Sequence, residues 1–270
     1  MKKIILVGCG KMGQALLGGW LDAGVQTKSL LVVEPDPNLG SRIEKNLNVA
    51  CVTDFAKIPS KVSPQVVLFA VKPQTIDGII TNYSKFKKSG TLFISIAAGK
   101  TIKYFEKKLG TNVSVIRAMP NTPAAIKRGI TVAFANKHVQ ASQLKIADKL
   151  LLSTGQLEWI KREALIDSVT ALSGGGPAYV FLLTECLCEA GIKMGLSKGL
   201  SMRLARATVS GAGELMHNSD LEPAMLRQNV TSPGGTTAEA LKILMGQNGW
   251  QNIITRALKA AKKKSTQLAN

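Results

Sequence analysis

Near the amino end, Gly8-Cys9-Gly10-Lys11-Met12-Gly13 puts glycines at the first, third and sixth positions of one short stretch. This spacing suits phosphate chemistry. The first glycine permits a tight turn, the second leaves room for a pyrophosphate, and the third lets a helix pack closely on a strand. Free N–H groups at the start of that helix attract anions, with the helix dipole behind them. Such a spacing is weak evidence alone in a chain with 25 glycines, but its position gives it weight. It follows an apolar run, Lys3 to Gly8, that reads as a short buried strand, and it opens a segment, 11–23, with helical apolar spacing. Glu34 stands 21 residues beyond Gly13, closing a second apolar run from Leu30 to Val33. An acid there bonds the adenine ribose 2′-hydroxyl of a dinucleotide and disfavours a 2′-phosphate. Lys28 and Arg42 are cations that could meet such a phosphate. NADPH and NADH both stay open, with a slight lean towards NADH or dual use.

These residues need elements to hold them. Gln65 to Val71, Thr91 to Ile96 and Val113 to Arg117 read as further strands, closed by Lys72-Pro73, by Ala97-Ala98-Gly99 and by the turn Met119-Pro120-Asn121-Thr122-Pro123. Helical segments fall at roughly 38–47, 74–82 and 101–108. Ile130 to Phe134, a helix near 139–151 and Leu157 to Ile160 complete the pattern. Alternation at this spacing implies an α/β fold, a doubly wound parallel sheet of Rossmann type with helices on both faces, over residues 1–160. Ala70-Val71-Lys72-Pro73 and Ala97-Ala98-Gly99 follow strand ends on the carboxyl edge, where ligands bind in open sheets. Each reads equally well as a turn without a ligand. Residues 161–270 form an all-helical domain: 177–194, 198–216, then shorter segments near 222–228, 236–246 and 250–266. Glycine- and proline-containing joints at Ser173–Pro177 and Ser232–Gly235 separate them.

Composition narrows the alternatives. Apolar residues make up 45%, enough for a sizeable core. Cys9, Cys51, Cys186 and Cys188 show no metal-ligand spacing, so reduced, buried thiols are expected and no metal. Lys2-Lys3 before Ile4-Ile5-Leu6-Val7 begins like a signal peptide, but four strongly apolar residues are too few for one. No run approaches the roughly 18–20 apolar residues of a membrane span. A soluble cytoplasmic protein is expected. The net charge of +18 is spread along the chain, and aromatic residues are only 5%, which excludes a stacking platform for nucleic acid. A basic proteome or weak attraction of anionic substrates accounts for the charge. His138 and His217 read as surface residues.

The helical half carries the specific signal. Ala171-Leu172-Ser173-Gly174-Gly175-Gly176-Pro177-Ala178-Tyr179 and Gln228-Asn229-Val230-Thr231-Ser232-Pro233-Gly234-Gly235-Thr236-Thr237 resemble the glycine-rich helix start and the signature loop of the pyrroline-5-carboxylate reductase family. Val71-Lys72-Pro73 and Arg117-Ala118-Met119-Pro120-Asn121-Thr122-Pro123 are also similar to it, so the resemblance spans nearly the whole chain. One departure is Gly175, where the family usually carries a serine. The resemblance implies NAD(P)H-dependent reduction of 1-pyrroline-5-carboxylate to L-proline, and a helical domain like the carboxyl-terminal one of 6-phosphogluconate dehydrogenase. It also implies a dimer or larger homo-oligomer with interleaved helical domains. Residue by residue, it implies that Gly8 to Gly13 and Glu34 bind the dinucleotide, with Ala70 to Pro73, Ala97 to Gly99 and Asn229. Glu163, Val230, Ser232, Gly234, Gly235 and Thr236 bind the substrate, and Thr237 places its hydroxyl beside the ring nitrogen. Read without the resemblance, Gly234 and Gly235 before a helix make an anion nest, or Ser232 or Thr236 is an ordinary helix cap.

Two other readings compete. Enzymes of the β-hydroxyacid dehydrogenase type share the layout but use a lysine on the first long helix of the second domain, and Pro177 to Leu187 has none. A non-catalytic NAD(P)-binding regulator would need a concentrated basic face or a helix-turn-helix, and neither is evident.

Overall fold

The computed structural model describes residues 3–269. Two compact units divide it. One comprises 1–174 with 261–270, and the other 175–260.

The first unit is built on eight strands: β1 (Ile4–Val7), β2 (Leu30–Val33), β3 (Ala50–Val52), β4 (Val66–Phe69), β5 (Leu92–Ser95), β6 (Ser114–Met119), β7 (Gly129–Ala135) and β8 (Gly155–Trp159). Their order in the sheet is β3-β2-β1-β4-β5-β6-β7-β8. The central strands are buried on both faces, which is why they read as unbroken apolar runs. Successive side chains still divide between two cores. Leu6, Val32, Leu68 and Ile94 join Leu16, Leu17, Trp20 and Leu150 on one face; Ile5, Val67, Phe69 and Phe93 join Tyr83 and Phe105 on the other.

Five helices connect the strands: α1 (Lys11–Asp22), α2 (Pro37–Leu47), α3 (Pro73–Ile79), α4 (Ile102–Leu109) and α5 (Ala141–Leu152). Asp36 starts α2 by accepting the N–H of Asn38 at 2.9 Å, with Pro37 in the first helical position, and left-handed Asn48 ends it. The helix expected over 74–82 stops at Ile79 and continues as tighter 3-10 turns through Ser89.

The sheet departs from the all-parallel expectation at one edge. β7 runs antiparallel to β6, pairing Ala135 with Ile116, and β8 is parallel to β7. The cause is local: the proline-bearing connection between β6 and β7 holds only a short 3-10 turn, Thr122–Ile126, too short for a crossover, so the chain returns antiparallel. β3 was not anticipated. It is three half-buried residues at the other edge, too short to show a pattern.

Beyond β8 come α6 (Ile166–Val169), a π turn at Thr170–Gly174, then α7 (Gly176–Lys193), α8 (Lys198–His217), α9 (Pro223–Asn229), α10 (Thr236–Leu244) and α11 (Trp250–Ala269). The Gly174-Gly175-Gly176 stretch is therefore no break in the helix. Glu163–Lys193 forms one helical run, long and apolar enough to cross a membrane by length and composition, although the expectation was that no run approaches this. The run was hidden because its glycines read as a joint. The second unit has little core of its own: Cys188 and Ala205 are buried, while Phe181, Leu182, Met194 and Ile243 are 62%, 58%, 76% and 79% exposed.

Arg117 on β6 is 2% exposed. Its Nη1 lies 3.1 Å from Glu163 Oε1 and its Nη2 3.6 Å from Asp167. Glu163 Oε1 also accepts the N–H of Ile102 at 2.8 Å, and Asp167 accepts the hydroxyls of Ser265 at 2.7 Å and Thr266 at 3.2 Å. One cation thus holds a sheet strand, the start of α4, α6 and the end of α11. Removing one partner of a buried charge group typically costs about 3–5 kcal/mol. Arg117→Ala is expected to lose about 3 kcal/mol or more in urea unfolding, and a loss below about 1 kcal/mol would show the cluster to be dispensable.

Candidate active site

The stretch from Gly8 to Gly13 leaves β1 at the carboxyl edge of the sheet, with Gly8 to Gly10 as the turn and Lys11 to Gly13 as the opening of α1. Gly8 has φ +85°, and a side chain there would meet Val71 at 2.6 Å and the carbonyl oxygen of Ala70 at 3.0 Å. At Gly13 a Cβ would lie 2.5 Å from the carbonyl oxygen of Gly8. Both glycines are demanded by the chain's own packing. Gly10 differs: a Cβ there would meet nothing within 4 Å. Its missing side chain serves no neighbour in the protein and leaves open space before α1. Gly10 is also the N-cap of α1 without a side-chain capping bond, and the first turn carries no acid. The turn therefore fits a dinucleotide pyrophosphate in both shape and charge.

Glu34, at the end of β2, is 8% exposed. Its Oε2 accepts the N–H of Cys9 at 2.7 Å, and its Oε1 that of Asp36 at 3.1 Å. Burial, then the charge of Glu34, pushes the Cys9 thiol up to about 12, so this cysteine stays protonated and unreactive. All four cysteines are free, but Cys186 is exposed and Cys51 only partly covered, against the expectation that they are buried. Among the described residues no group of three His, Cys, Asp or Glu could hold a metal.

Ala70 and Val71 touch the glycine turn, as the Gly8 contacts require, while Lys72 and Pro73 form the start of α3. Ala97 is buried and its N–H donates to Ser95 Oγ at 3.2 Å. Gly99 packs against the end of α11, where a Cβ would come 2.7 Å from the carbonyl oxygen of Leu268. Sequence reasoning missed Lys100, beside this turn. Its Nζ lies 2.7 Å from Asp77 and 4.5 Å from the Tyr104 ring centroid. Lys100 holds the Asp77 carboxyl below its usual range. The only available signal was a lysine and an aspartate 23 residues apart, which no motif links. Glu163 is engaged with Arg117 and Ile102, as described above.

In the second unit, α9 ends at Asn229, and Thr231 donates its hydroxyl to the carbonyl of Arg227 at 2.6 Å. Gly234 takes φ +70°, a conformation that favours glycine, and the N–H of Gly235 turns back to the carbonyl of Ser232 at 3.1 Å. The N-cap of α10 is Gly235, with no side-chain capping bond. Neither Ser232 nor Thr236 acts as the ordinary cap, because the cap position falls on a residue without a side chain. Val230, Ser232, Thr236 and Thr237 are exposed around this uncapped helix start.

A largely parallel sheet, an open glycine turn and an acid at the end of the second strand define a Rossmann-type NAD(P)-binding oxidoreductase. Residues 3–99 match the family model described as NADP oxidoreductase coenzyme F420-dependent, and residues 163–268 match the model for pyrroline-5-carboxylate reductase dimerisation. The pyrroline-5-carboxylate reductase of Pseudomonas aeruginosa is 37% identical, covering 99% of this chain and 97% of its own. Among solved structures, a pyrroline-5-carboxylate reductase from Coxiella burnetii superposes with a TM-score of 0.91 at 32% identity, covering 100% of this chain and 99% of its own. A Plasmodium falciparum pyrroline carboxylate reductase with NADP bound gives a TM-score of 0.84 at 31% identity, covering 100% and 98%. The chain belongs to the pyrroline-5-carboxylate reductase family.

The glycine geometry separates folding from binding. Gly13→Ala should destabilise the protein by about 1–3 kcal/mol through overpacking. Gly10→Ala should change stability by less than about 1 kcal/mol, yet weaken NADH binding at least about tenfold, near 1.4 kcal/mol. Thermal unfolding and fluorescence titration of the two variants check this. Unchanged NADH affinity in Gly10→Ala would mean that the open space is not the phosphate site.

Proposed function

We propose that the chain reduces 1-pyrroline-5-carboxylate to L-proline, the last step of proline biosynthesis, with NADPH or NADH as donor. The observation that carries the proposal is the uncapped start of α10, an arrangement of N–H groups suited to a carboxylate, in the loop that resembles the family's signature. The bound reduced nicotinamide supplies the hydride. The protein's part is orientation and electrostatics.

In this reading, Gly8, Cys9, Gly10, Lys11, Met12 and Gly13 hold the pyrophosphate, and Glu34 meets the adenine ribose. Ala70 to Pro73, Ala97 to Gly99 and Asn229 complete the dinucleotide contacts. Val230, Ser232, Gly234, Gly235 and Thr236 cradle the substrate, whose carboxylate takes the N–H groups of the glycine turn. Thr237 orients the imine nitrogen through its hydroxyl. An imine accepts hydride best when protonated, so the proton must be present at that nitrogen, either carried in by the substrate or donated by a hydroxyl or water. Glu163, which the resemblance places at the substrate, also positions the start of α4, its Oε1 engaged by Arg117 and Ile102.

The division of labour places dinucleotide binding in residues 1–160 and substrate binding with self-association in 161–270. The exposed apolar side chains of the second unit and the dimerisation model matched there support a homodimer or larger assembly. They also give the apolar Glu163–Lys193 run a use that needs no membrane. The working place proposed is the cytoplasm. The rival alcohol oxidation gains nothing from α7: its one lysine, Lys193, stands at the far end of the helix, 3.0 Å from Glu189.

Purified protein with 1-pyrroline-5-carboxylate should consume reduced nicotinamide rapidly, and no consumption with either donor would reject the proposal. Thr237→Ala should lose about a hundredfold in kcat with dinucleotide affinity unchanged, the scale expected when a reacting group is misplaced. Normal turnover in that variant would remove Thr237 from the mechanism.

A further inference from the structure

The amino edge of the sheet, opposite the glycine turn, holds a cavity of about 550 Å³. Lys3, Lys28, Lys145 and Lys149 border it, and no aspartate or glutamate does. Lys3 and Lys28 come from the approaches to β1 and β2, where the N–H of Lys3 donates to the carbonyl of Ser29 at 2.8 Å. Lys28 thus stands at the far end of β2 from Glu34, more than about 13 Å away at about 3.3 Å per residue, and cannot serve a 2′-phosphate beside that acid. Lys145 and Lys149 are one turn apart on the same face of α5. Among the described residues, none of these four is in an ion pair, whereas Lys57, Lys100, Lys127, Lys193 and Lys242 each meet a carboxylate. Asp148, the nearest acid along α5, is committed to the indole N–H of Trp159 at 2.9 Å. Charge of one sign around a hollow with apolar walls focuses the field there and favours an anion.

We propose that this cavity is a second anion site, one that takes a nucleoside polyphosphate with its phosphates among the lysines and its base on the apolar floor. Ile4 and Leu150 form that floor as buried residues, with Val25 and Ile146 half-buried beside them. The side-chain amides of Gln26 and Gln65 also border the cavity and can both donate to and accept from a base. The volume lies within the roughly 300–1,000 Å³ of small-molecule sites. The walls are fixed in advance: the N–H of Gln65 donates to the carbonyl of Lys3 at 2.7 Å, and the indole N–H of Trp20 to the carbonyl of Leu150 at 2.9 Å, tying α5 to α1. A bare phosphate would use the lysines and leave the floor uncovered. A nucleic-acid strand would need aromatic side chains to stack on, and none borders the cavity. The length of β1 separates the site from Gly8, so it is distinct from the dinucleotide turn and independent of the proposed reduction.

The test is calorimetric titration of ATP into the whole protein saturated with NADH, which keeps the glycine turn occupied. ATP should bind without changing the fluorescence of bound NADH, and at least about tenfold tighter than inorganic tripolyphosphate or adenosine. Lys145→Gln combined with Lys149→Gln should weaken ATP at least about tenfold. Glutamine forms helix well and the change removes a like-charge pair, so α5 should keep its stability. Lys103→Gln combined with Lys107→Gln removes the same charge at the same spacing from exposed positions on α4, and should leave ATP affinity unchanged. Absence of ATP binding, displacement of NADH by ATP, or tripolyphosphate binding as tightly as ATP each overturns the proposal. Equal losses in the two double variants would also overturn it, by showing only the net charge of +18 at work. A single-stranded oligonucleotide that outcompetes ATP and loses affinity with Lys145 and Lys149 would make this face a nucleic-acid surface instead. If the protein binds no NADH, the placement at the glycine turn fails, and the two double variants still decide the lysine site.

Discussion

A guanidinium that is 2% exposed cannot be left alone in a protein interior, and Arg117 is placed where the chain must bring carboxylates to it. Glu163 and Asp167 come from the segment that follows β8, and their approach fixes how that segment returns across the sheet. The consequences spread through hydrogen bonds rather than through apolar contact. Glu163 closes the start of α4, and Asp167 collects the hydroxyls of Ser265 and Thr266 near the end of the chain. The Ala97–Gly99 turn lies a few residues before α4 and packs on Leu268 a few residues after those hydroxyls. A single buried cation thereby sets both supports of the Ala97–Gly99 turn. Among the described residues Nε and Nη2 have no hydrogen-bond partner, so attraction between charges, rather than a full set of hydrogen bonds, holds the cluster.

The second unit obeys a different constraint. α7 and α8 approach closely because Gly191 leaves room for Ser201, whose hydroxyl a Cβ on the glycine would meet at 2.9 Å. Beyond this seam the helices present Phe181, Leu182, Leu204, Leu215 and Ile253 to the outside. An apolar surface of that extent is characteristic of a protein surface that a partner covers. The match to a dimerisation model over 163–268 identifies a second copy as the natural partner. Helices that would be too apolar for a monomer then form the core of an assembly.

The fold was legible wherever burial on both faces produced continuous apolar runs, as at Ile4–Val7, Val66–Phe69 and Leu92–Ser95. It was illegible where direction depends on connection: nothing in Gly129–Ala135 distinguishes a parallel strand from an antiparallel one, and only the short turn before it decides. The glycines of 174–176 signalled a joint by composition, while the helix passes through them by widening into a π turn. The glycine turn was readable as a motif, but its internal roles were not. Only geometry separates Gly8 and Gly13, which packing requires, from Gly10, which it does not. The Arg117 cluster gave no signal because its members are 46 and 50 positions apart and share no spacing rule.

Adding hydride to an imine asks for little acid–base equipment, and the chain offers little. His138 is part-buried on the turn before α5, where its backbone carbonyl accepts the hydroxyl of Ser114, and His217 ends α8. Cys9, although beside the phosphate turn, is held as a thiol by burial and by Glu34. What remains to act on a ligand is mostly backbone: open N–H groups before α1 and before α10, each exposed by a glycine at the cap. Backbone donors at helix starts need no particular protonation state, and helices of 12 and 9 residues hold them in place without side-chain rotamers to order. The proposed side-chain roles fall on few residues: Glu34, whose two N–H partners remove its freedom, and Thr237, whose hydroxyl can both donate and accept. A site of this kind draws its precision from where helices begin, and the sheet edge and the Arg117 cluster fix those beginnings in the first unit.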